Sequence, residues 1–189
     1  RKIFQTMEEK FKNFIKEILK MIGEDPEREE LKRTPERFLK MLMELTEGYR
    51  INPDKIVEKA IFHSETQQMV IVKDIDFSSL CEHHLIPFLG KIHIGFIPEK
   101  KLIGLSKIPR IVEVFSRRLQ VQERLTDEIA DFLYKKIKPK GLGIVIDAVH
   151  LCTVIRGVKN RSAKLLTSKM LGNFQEPEIK NEFLNAIKG

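Results

Sequence analysis

The sequence predicts an α+β protein in which helices cover one face of an antiparallel sheet. The first observation is the order of segments along the chain: helices, two strands, two helices, two strands and a last helix. The second is that strands joined by a hairpin turn must run antiparallel. At 189 residues the chain is long enough to bury one hydrophobic core. We therefore expect one domain with a helical appendage.

Three helices are predicted near the beginning. Apolar residues recur at three- and four-residue steps over residues 4–22, which is the period of an amphipathic helix, and Gly23 ends the segment. Asp25 before a proline is typical of an N-cap and predicts a short helix over residues 25–32. Thr34 before a proline predicts a longer helix that stops at Gly48.

Two cations, Arg37 and Lys40, lie one turn apart near the start of the third helix. Such a pair usually belongs to a solvated helix face. The positive end of a helix with two cations also suits a phosphate group.

Two strands follow a short helix over residues 54–60. Residues 69–77 are β-branched and partly alternating, and residues 91–97 alternate apolar residues with others. One face of the second strand should be buried, which leaves His93 on the other face as a surface or interface residue. His63, in the polar loop before the strands, is expected to be structural.

The second half of the chain predicts two helices, two strands and a final helix. The helices cover residues 109–120 and 122–137, and an apolar strand over 143–149 is expected to continue to Ile155. Residues 167–174 form a strand or a loop, and residues 178–187 a last amphipathic helix. No Walker-type glycine loop is present.

Composition restricts the class of protein. A formal net charge of +7 fits a polyanionic partner, either a nucleic acid or a nucleoside triphosphate. No apolar run is long enough for a membrane helix, and residues 1–3 do not start a signal peptide, so we expect a cytoplasmic protein with no membrane partner. Two cysteines far apart in the sequence favour reduced thiols or metal ligation over a disulfide framework.

The segment Cys81-Glu82-His83-His84 is the strongest chemical motif, because it combines a thiolate with two imidazoles. Zinc takes such ligands in a tetrahedron, and a C-x-x-H turn offers two of them. His150-Leu151-Cys152 is the other place where His and Cys occur together. In a strand, residues two apart point to the same face, so His150 and Cys152 should face one cavity.

The number of ligands separates a structural zinc site from a catalytic one. A structural zinc normally has four protein ligands, whereas a catalytic zinc keeps one position for water. Two cysteines and one histidine make a Cys2His set with an open position, and the remaining histidines could carry protons. Spacing alone leaves open which of His83 and His84 is the ligand. The competing interpretation is two unrelated buried thiols and scattered histidines.

Several separated motifs resemble zinc-dependent GTP cyclohydrolase I, and the resemblance covers nearly the whole chain. Thr153 and Ile155 stand where that family often has Met, and residues 160–166 are idiosyncratic. The motifs are Cys81-Glu82-His83-His84-Leu85-Ile86-Pro87-Phe88, Gly104-Leu105-Ser106-Lys107, the segment from Arg117 to Thr126, His150-Leu151-Cys152, Arg156-Gly157-Val158 and, more weakly, Arg33 to Arg37.

The resemblance implies a tunnelling fold, a four-stranded antiparallel sheet with two helices inserted between strands 2 and 3. It divides the chain into an N-terminal helical extension, residues 1–60, and a catalytic domain, residues 61–189. In that family sheets join into pentameric barrels, two barrels stack into a homodecamer, and active sites lie between subunits. The implied activity converts GTP and water into 7,8-dihydroneopterin triphosphate and formate, the entry to folate or pterin synthesis.

The resemblance also implies roles for single residues. Cys81, His84 and Cys152 match the zinc ligands, and His83 and His150 match the acid–base pair. Glu123, with Gln122 beside it, matches the residue that binds guanine, because a carboxylate can accept from the ring N1–H and the exocyclic amine together. The triphosphate would be bound by Ser106, Lys107, Arg110 and Arg156, joined by Arg37 and Lys40 from a neighbouring subunit.

Three alternatives accompany this interpretation. Without the resemblance, Glu123 reads as a carboxylate that caps a helix start. A zinc-stabilised basic module that binds nucleic acid would fit the net charge, but it would need four protein ligands and exposed aromatic residues, so we expect no nucleic-acid partner. A tunnelling-fold relative that acts on another pterin or deazapurine would share Glu123. Glu82 is left unassigned.

Overall fold

The computed structural model describes residues 2–188, and their side chains from residue 6 onward, so the predicted apolar contact of Phe4 lies outside the described residues. Two compact units divide the chain, the first ending at Thr46 and the second beginning at Glu47. The domain boundary predicted between residues 60 and 61 stays a prediction. No helix of the described residues is long and apolar enough to cross a membrane.

The first unit is a pair of helices. α1 spans Lys2–Met21 and α2 spans Thr34–Leu45, close to two of the three predicted helices. α1 buries Ile15 and Leu19, which lie one turn apart on the same helix face.

The short helix predicted for residues 25–32 is wrong, because turns occupy this segment. The Arg28 amide donates to the Asp25 carbonyl at 3.3 Å, and the Asp25 carboxylate accepts from the Glu27 amide at 2.9 Å. Leu31 is the one large apolar side chain in the segment. A helix of this length is unstable in water unless it has an apolar face to bury.

The second unit contains the sheet and the remaining helices. Its strands are β1 (Ile61–His63), β2 (Val70–Cys81), β3 (Pro87–Ile97), β4 (Lys101–Ile103), β5 (Leu119–Gln120), β6 (Gly141–His150) and β7 (Leu165–Gly172). Its α-helices are α3 (Asp54–Val57), α4 (Lys107–Ser116), α5 (Gln122–Ile137), α6 (Leu151–Val154) and α7 (Pro177–Ile187), and single 3₁₀ turns cover Glu47–Tyr49 and Asn173–Gln175.

The sheet has the order β5-β2-β3-β6-β7. Its four long strands, β2, β3, β6 and β7, are antiparallel neighbours, and the two-residue β5 runs parallel to the end of β2. α4 and α5 come between β3 and β6 in the chain, so the predicted four-stranded antiparallel sheet with two inserted helices is confirmed. β1 and β4 form a separate two-stranded sheet.

Both faces of the sheet are covered, which corrects the prediction of one covered face. On one face, Ile92 and Ile94 of β3 pack in the same core as Ile129 of α5. On the other face, Phe174 and Phe183 form a second core with Val145 of β6. The C-terminal helix α7 therefore packs against the face that the alternating pattern left to solvent.

Glycines in the sheet let the two phenylalanines approach. A Cβ on Gly95 would lie 2.7 Å from Cδ2 of Phe183, and a Cβ on Gly143 would lie 2.4 Å from Cδ1 of Phe174. Real Cβ atoms do not approach other atoms this closely, so these two positions need glycine for the second core to close.

His93 is also buried within the chain, at 8% exposure, so the prediction of a surface or interface residue is wrong for it. The β2–β3 register shifts between Val72 and Ile75, and Asp74 has a φ of 61° in this bulge. The Asp74 amide donates to Nδ1 of His93 at 3.2 Å. Burial lowers the pKa of His93, and the nearby carboxylates of Asp74 and Asp147 oppose that change.

Candidate metal centre and active site

The Cys81 thiol lies where β2 ends and a tight turn begins. Cys81 pairs with Gln120 of β5, and its amide donates to the Ile86 carbonyl at 3.0 Å across the turn. Leu85 has a φ of 54° and its amide donates to the Cys81 carbonyl at 2.8 Å. The turn therefore buries the thiol of Cys81 and leaves both of its histidines exposed.

The structure brings the three predicted metal ligands together. One ligand atom each from Cys81, His84 and Cys152 lies within 4.8 Å of the others, a group that could hold a metal ion. Cys81 Sγ is 3.7 Å from His84 Nδ1. Tetrahedral zinc with ordinary bond lengths separates a sulfur and a nitrogen ligand by about 3.6 Å. The donor types and the spacing therefore fit zinc.

His83 lies next to this group without belonging to it. Its Nδ1 is 3.8 Å from Cys81 Sγ, and the rings of His83 and His84 are nearly perpendicular, with centroids 6.2 Å apart. Cys81 is almost equally far from both histidines, but only His84 also has a ligand atom close to Cys152, which their spacing in the sequence did not show.

Cys152 lies in a helical turn that follows β6. The strand predicted from residue 143 to Ile155 is therefore wrong after His150. β6 ends at His150, and α6 follows as one turn in which the Ile155 amide donates to the Leu151 carbonyl at 3.0 Å. The Thr153 hydroxyl donates to the His150 carbonyl at 2.9 Å. His150 and Cys152 thus do not share a strand face, although both lie at the same end of the sheet.

The thiol of Cys152 is affected by its burial and by the neighbouring thiol. Burial raises the pKa of the Cys152 thiol, and the neighbouring Cys81 raises it further. Two thiolates this close repel each other, so a bound cation would favour the form in which both are ionised.

The His150 ring is fixed from two sides. It stacks on Phe88, with ring centroids 4.5 Å apart and 5° between the planes. Its Nε2 is 2.9 Å from Oε1 of Gln122. Burial lowers the pKa of His150, whereas the charge of Glu123 raises it.

Gln122 is fully buried at the start of α5, and its amide group is occupied within the chain. Its Nε2 donates to the carbonyls of Ile146 and Leu165 at 3.1 and 2.9 Å and to the Thr167 hydroxyl at 3.1 Å. Three acceptors around the nitrogen fix the orientation of the amide, so its oxygen points to His150. Sequence reasoning missed this role, because a glutamine beside a predicted base-binding glutamate carries no signal of burial.

Glu123 lies beside Gln122 in the first turn of α5. It lines an open cavity of about 180 Å³ together with Thr126, Asp127, Thr167 and Ser168. In this cavity the carboxylate can accept hydrogen bonds from a polar heterocycle, and the hydroxyl groups of the threonines and the serine can donate to it.

Glu82, left unassigned above, pairs with Arg124 of α5, and this hydrogen bond holds the pKa of Glu82 below its usual value. Arg124 also donates to the Leu119 carbonyl and to the side chain of Gln120, each at 3.0 Å. The ion pair thus ties the Cys81 turn to α5.

The predicted phosphate-binding residues are dispersed. Ser106 and Lys107 stand at the start of α4 and Arg110 one turn later, while Arg156 is exposed after α6. Arg110 lines a groove of about 640 Å³ with residues of β2, β3 and α4, and none of the three predicted metal ligands lines it. Arg37 and Lys40 are exposed on α2 in the first unit.

Comparisons with known proteins match almost the whole chain. The family model described as GTP cyclohydrolase I matches residues 11–188. A protein of Leptospira biflexa named GTP cyclohydrolase 1 is 53% identical over 177 residues, 93% of this chain and 97% of the relative. Proteins of the same name from Chlorobaculum tepidum and Campylobacter lari are 52% and 48% identical, over 90% and 96% of this chain and 76% and 96% of theirs. These matches give no support to a nucleic-acid-binding module: the chain is an enzyme and belongs to the GTP cyclohydrolase I family.

Proposed function

We propose that this chain converts GTP and water into 7,8-dihydroneopterin triphosphate and formate, with zinc held by Cys81, His84 and Cys152. The observation that carries the proposal is the compact group of two thiols and an imidazole. His150, two residues before Cys152 in the chain, stacks on Phe88. Membership of the family supports GTP as the substrate. The product would enter folate or pterin synthesis.

Three protein ligands leave one coordination position free. Zinc bound there would lower the pKa of a coordinated water to about 7 and so supply hydroxide for addition to C8 of guanine at neutral pH. The Cys81 turn, closed by three backbone hydrogen bonds, and the helical turn α6 would hold the ligands in place.

His150 would deliver the proton that opening of the imidazole ring requires. Since Oε1 of Gln122 has only lone pairs, Nε2 of His150 must carry a hydrogen, and Nδ1 is the nitrogen that can gain and release a proton. Burial lowers the pKa of this histidine, which makes it a better proton donor once it is charged. His83, exposed on the same turn as His84, would serve the later opening of the ribose and the rearrangement.

Glu123 would recognise guanine. Its carboxylate can accept from N1–H and the exocyclic amine together, and the cavity beside it is lined with hydroxyl groups. Gln122 has a different role in this proposal: because its amide is used by three acceptors and by His150, it positions the proton donor and does not contact the base.

The triphosphate would be bound across subunits. Ligand pockets usually measure about 300–1,000 Å³, so the cavity at Glu123, about 180 Å³, is too small to hold GTP alone. Lys107, Arg110 and Arg156 would supply cations and Ser106 a hydroxyl group, and Arg37 and Lys40 would add their charges from a neighbour. The separation of the Arg110 groove from the metal ligands supports this sharing.

We infer a homodecamer, built by joining sheets edge to edge into barrels. Among the described strands β7 pairs with β6 alone, and most of β2 has a neighbour on one side only, so both edges can accept a strand. Free thiols at the site suit a reducing compartment, which supports a cytoplasmic enzyme.

The decisive experiment combines a GTP assay with metal analysis. The parent chain should release formate and yield neopterin that fluoresces after oxidation, with about one zinc per chain. Cys152→Ser should lose the metal and all ring opening. His150→Ala should keep the metal and lose turnover by about 10² or more. Zinc lost from His150→Ala, or an active Cys152→Ser that keeps zinc, would show that the two roles are exchanged.

A further inference from the structure

The cavity beside Glu123 has a polar wall to which two threonines contribute. Thr126 of α5 is 2% exposed and Thr167 of β7 is half-buried, and both line the cavity. Asp127 and Ser168 complete the wall. The wall therefore combines carboxylate and hydroxyl groups, and the direction of each hydroxyl hydrogen decides which edge of a ligand it can bind.

The contacts of Thr126 fix the direction of its hydrogen. Its Oγ1 lies 2.8 Å from the Gln122 carbonyl oxygen and 2.8 Å from Oγ1 of Thr167. A carbonyl can only accept, so Thr126 must donate to Gln122. If this hydrogen pointed to Thr167 instead, lone pairs of Thr126 and of the carbonyl would face each other across 2.8 Å and repel.

Thr167 must in turn donate to Thr126. Its other contact, at 3.1 Å, is with Nε2 of Gln122, an amide nitrogen that has no lone pair to accept a hydrogen bond. The carbonyls of Ile146 and Leu165 also accept from this nitrogen, so the amide cannot turn over. Although a threonine hydroxyl can in general donate as well as accept, both hydrogens are used within the chain. Thr167 therefore has only a lone pair left for a ligand.

A wall of acceptors selects a ligand edge with several donors. Guanine has one hydrogen on N1 and two on its exocyclic amine. The two oxygens of the Glu123 carboxylate can accept from N1 and from one amine hydrogen together. The second amine hydrogen needs a further acceptor, because a polar hydrogen that is removed from water and left unpaired is unfavourable.

We propose that Thr167 is a specificity-determining residue that accepts this second amine hydrogen, and that Thr126 orients the Thr167 hydroxyl for this contact. The inference rests on the proposed function and deepens it, since it concerns how the same site distinguishes guanine from bases that lack the amine. Hypoxanthine, the base of ITP, has no such amine. It would leave the lone pair of Thr167 and one oxygen of Glu123 without a donor.

Binding of GTP and ITP to the zinc-loaded full-length chain tests the proposal. His150→Ala is the background, because it should bind GTP without opening the ring. In this background GTP should bind about 100-fold more tightly than ITP, since ITP loses two hydrogen bonds, one of them to a charged group.

Thr167→Val removes the acceptor and keeps the branched shape of the side chain. It should weaken GTP binding by about 10-fold and leave ITP binding nearly unchanged. Any disturbance of the contact with Gln122 affects both nucleotides alike, so the ratio of the two Kd values isolates the contact with the amine. Thr167→Ser keeps the hydroxyl and should retain the ratio of the background.

Thr126→Val provides a result that a merely structural role would not give. Without Thr126 as an acceptor, Thr167 can turn its hydrogen into the cavity and donate to a ligand. XTP carries an oxygen in place of the amine, so its affinity relative to GTP should rise by about 10-fold in this variant.

Three outcomes would overturn the proposal: equal affinity of the background for GTP and ITP, an unchanged ratio in Thr167→Val, or no relative gain for XTP in Thr126→Val. Formate release by the unsubstituted chain is measured separately. If the Kd ratios change as expected and no formate is released from GTP, the proposed ring opening is wrong and the recognition of the amine stands.

Discussion

Replacing Gln122 with Leu would test whether this buried glutamine fixes His150. The variant keeps the volume of the side chain but removes the contact to Nε2 of His150 and the donors to Ile146, Leu165 and Thr167. The amide has two hydrogens and its oxygen makes one further contact, so about three hydrogen bonds are lost. At about 1 kcal/mol each, the free energy of unfolding should fall by about 3 kcal/mol.

That loss corresponds to a melting temperature lower by about 6–12 °C for a chain of this size. Turnover of GTP should fall by about 10- to 100-fold, less than the loss expected from removing His150 itself, because the imidazole remains but can adopt the wrong tautomer. Zinc content should not change. Thermal unfolding at fixed protein concentration, metal analysis and an assay well below the melting temperature measure the three quantities.

Gln120→Leu is the matched control, because Gln120 is also fully buried and also makes three hydrogen bonds: it donates to the Phe115 carbonyl and the Glu128 carboxylate at 3.1 and 2.8 Å and accepts from Arg124 at 3.0 Å. It should lose similar stability while turnover stays near that of the parent. If Gln122→Leu kept full turnover, or if both variants lost it equally, Gln122 would be a structural residue only.

Three further predictions concern the base, the buried histidine and the sheet. Glu123→Ala should raise the KM for GTP by about 100-fold or more with zinc content unchanged, since guanine donors lose a charged acceptor; GTP binding like that of the parent would reduce Glu123 to a helix cap. Because the pKa of His93 is lowered in the folded state, the stability it contributes is present above about pH 6.5 and is lost as pH falls through the folded pKa. Acidification should therefore lower the free energy of unfolding of the parent more than that of His93→Asn. The same pH dependence in both proteins would contradict this. Gly90→Ala should destabilise the fold by about 3 kcal/mol, because its Cβ would lie 1.9 Å from the Asp147 carbonyl oxygen, and a melting temperature like that of the parent would refute the close approach.

Periodic segments could be predicted from the sequence because their pattern reflects burial directly. α5 spans Gln122–Ile137, as the helical period and the stop after residue 137 indicated. The predicted length of β2 was too short: its last four residues were missed, because they include the polar residues Ser78 and Ser79. Ser79 is buried by tertiary contact, and its hydroxyl donates to the Arg118 carbonyl at 3.2 Å.

The end of β6 shows why a local preference can mislead. Residues 153–155 are β-branched and favour a strand by propensity. The last paired residues are Phe88 of β3 and His150 of β6, and the next position on β3 is Pro87, which has no N–H to donate. The neighbouring strand therefore ends the ladder, and the chain forms the helical turn that carries Cys152.

The candidate site was predictable in residue type and less so in arrangement. Thiol and imidazole groups are rare in this chain, so the set Cys81, His84 and Cys152 could be assembled from composition and resemblance. The contact between Gln122 and His150 joins residues 28 positions apart and depends on the packing of α5 on the sheet. No local sequence pattern encodes a contact between residues so far apart in the chain, and only the folded structure shows it.

The second core has a consequence for how the chain leaves the ribosome. Phe174 and Phe183 follow every strand of the sheet in the chain, so β2, β3, β6 and β7 are synthesised before the residues that cover Gly95 and Gly143. Until residue 183 emerges, a nascent chain leaves Val145 and the apolar side chains around it without the cover of Phe183. We therefore expect a chain truncated within α7 to aggregate more readily than the full-length chain, because it lacks the residue that covers Gly95.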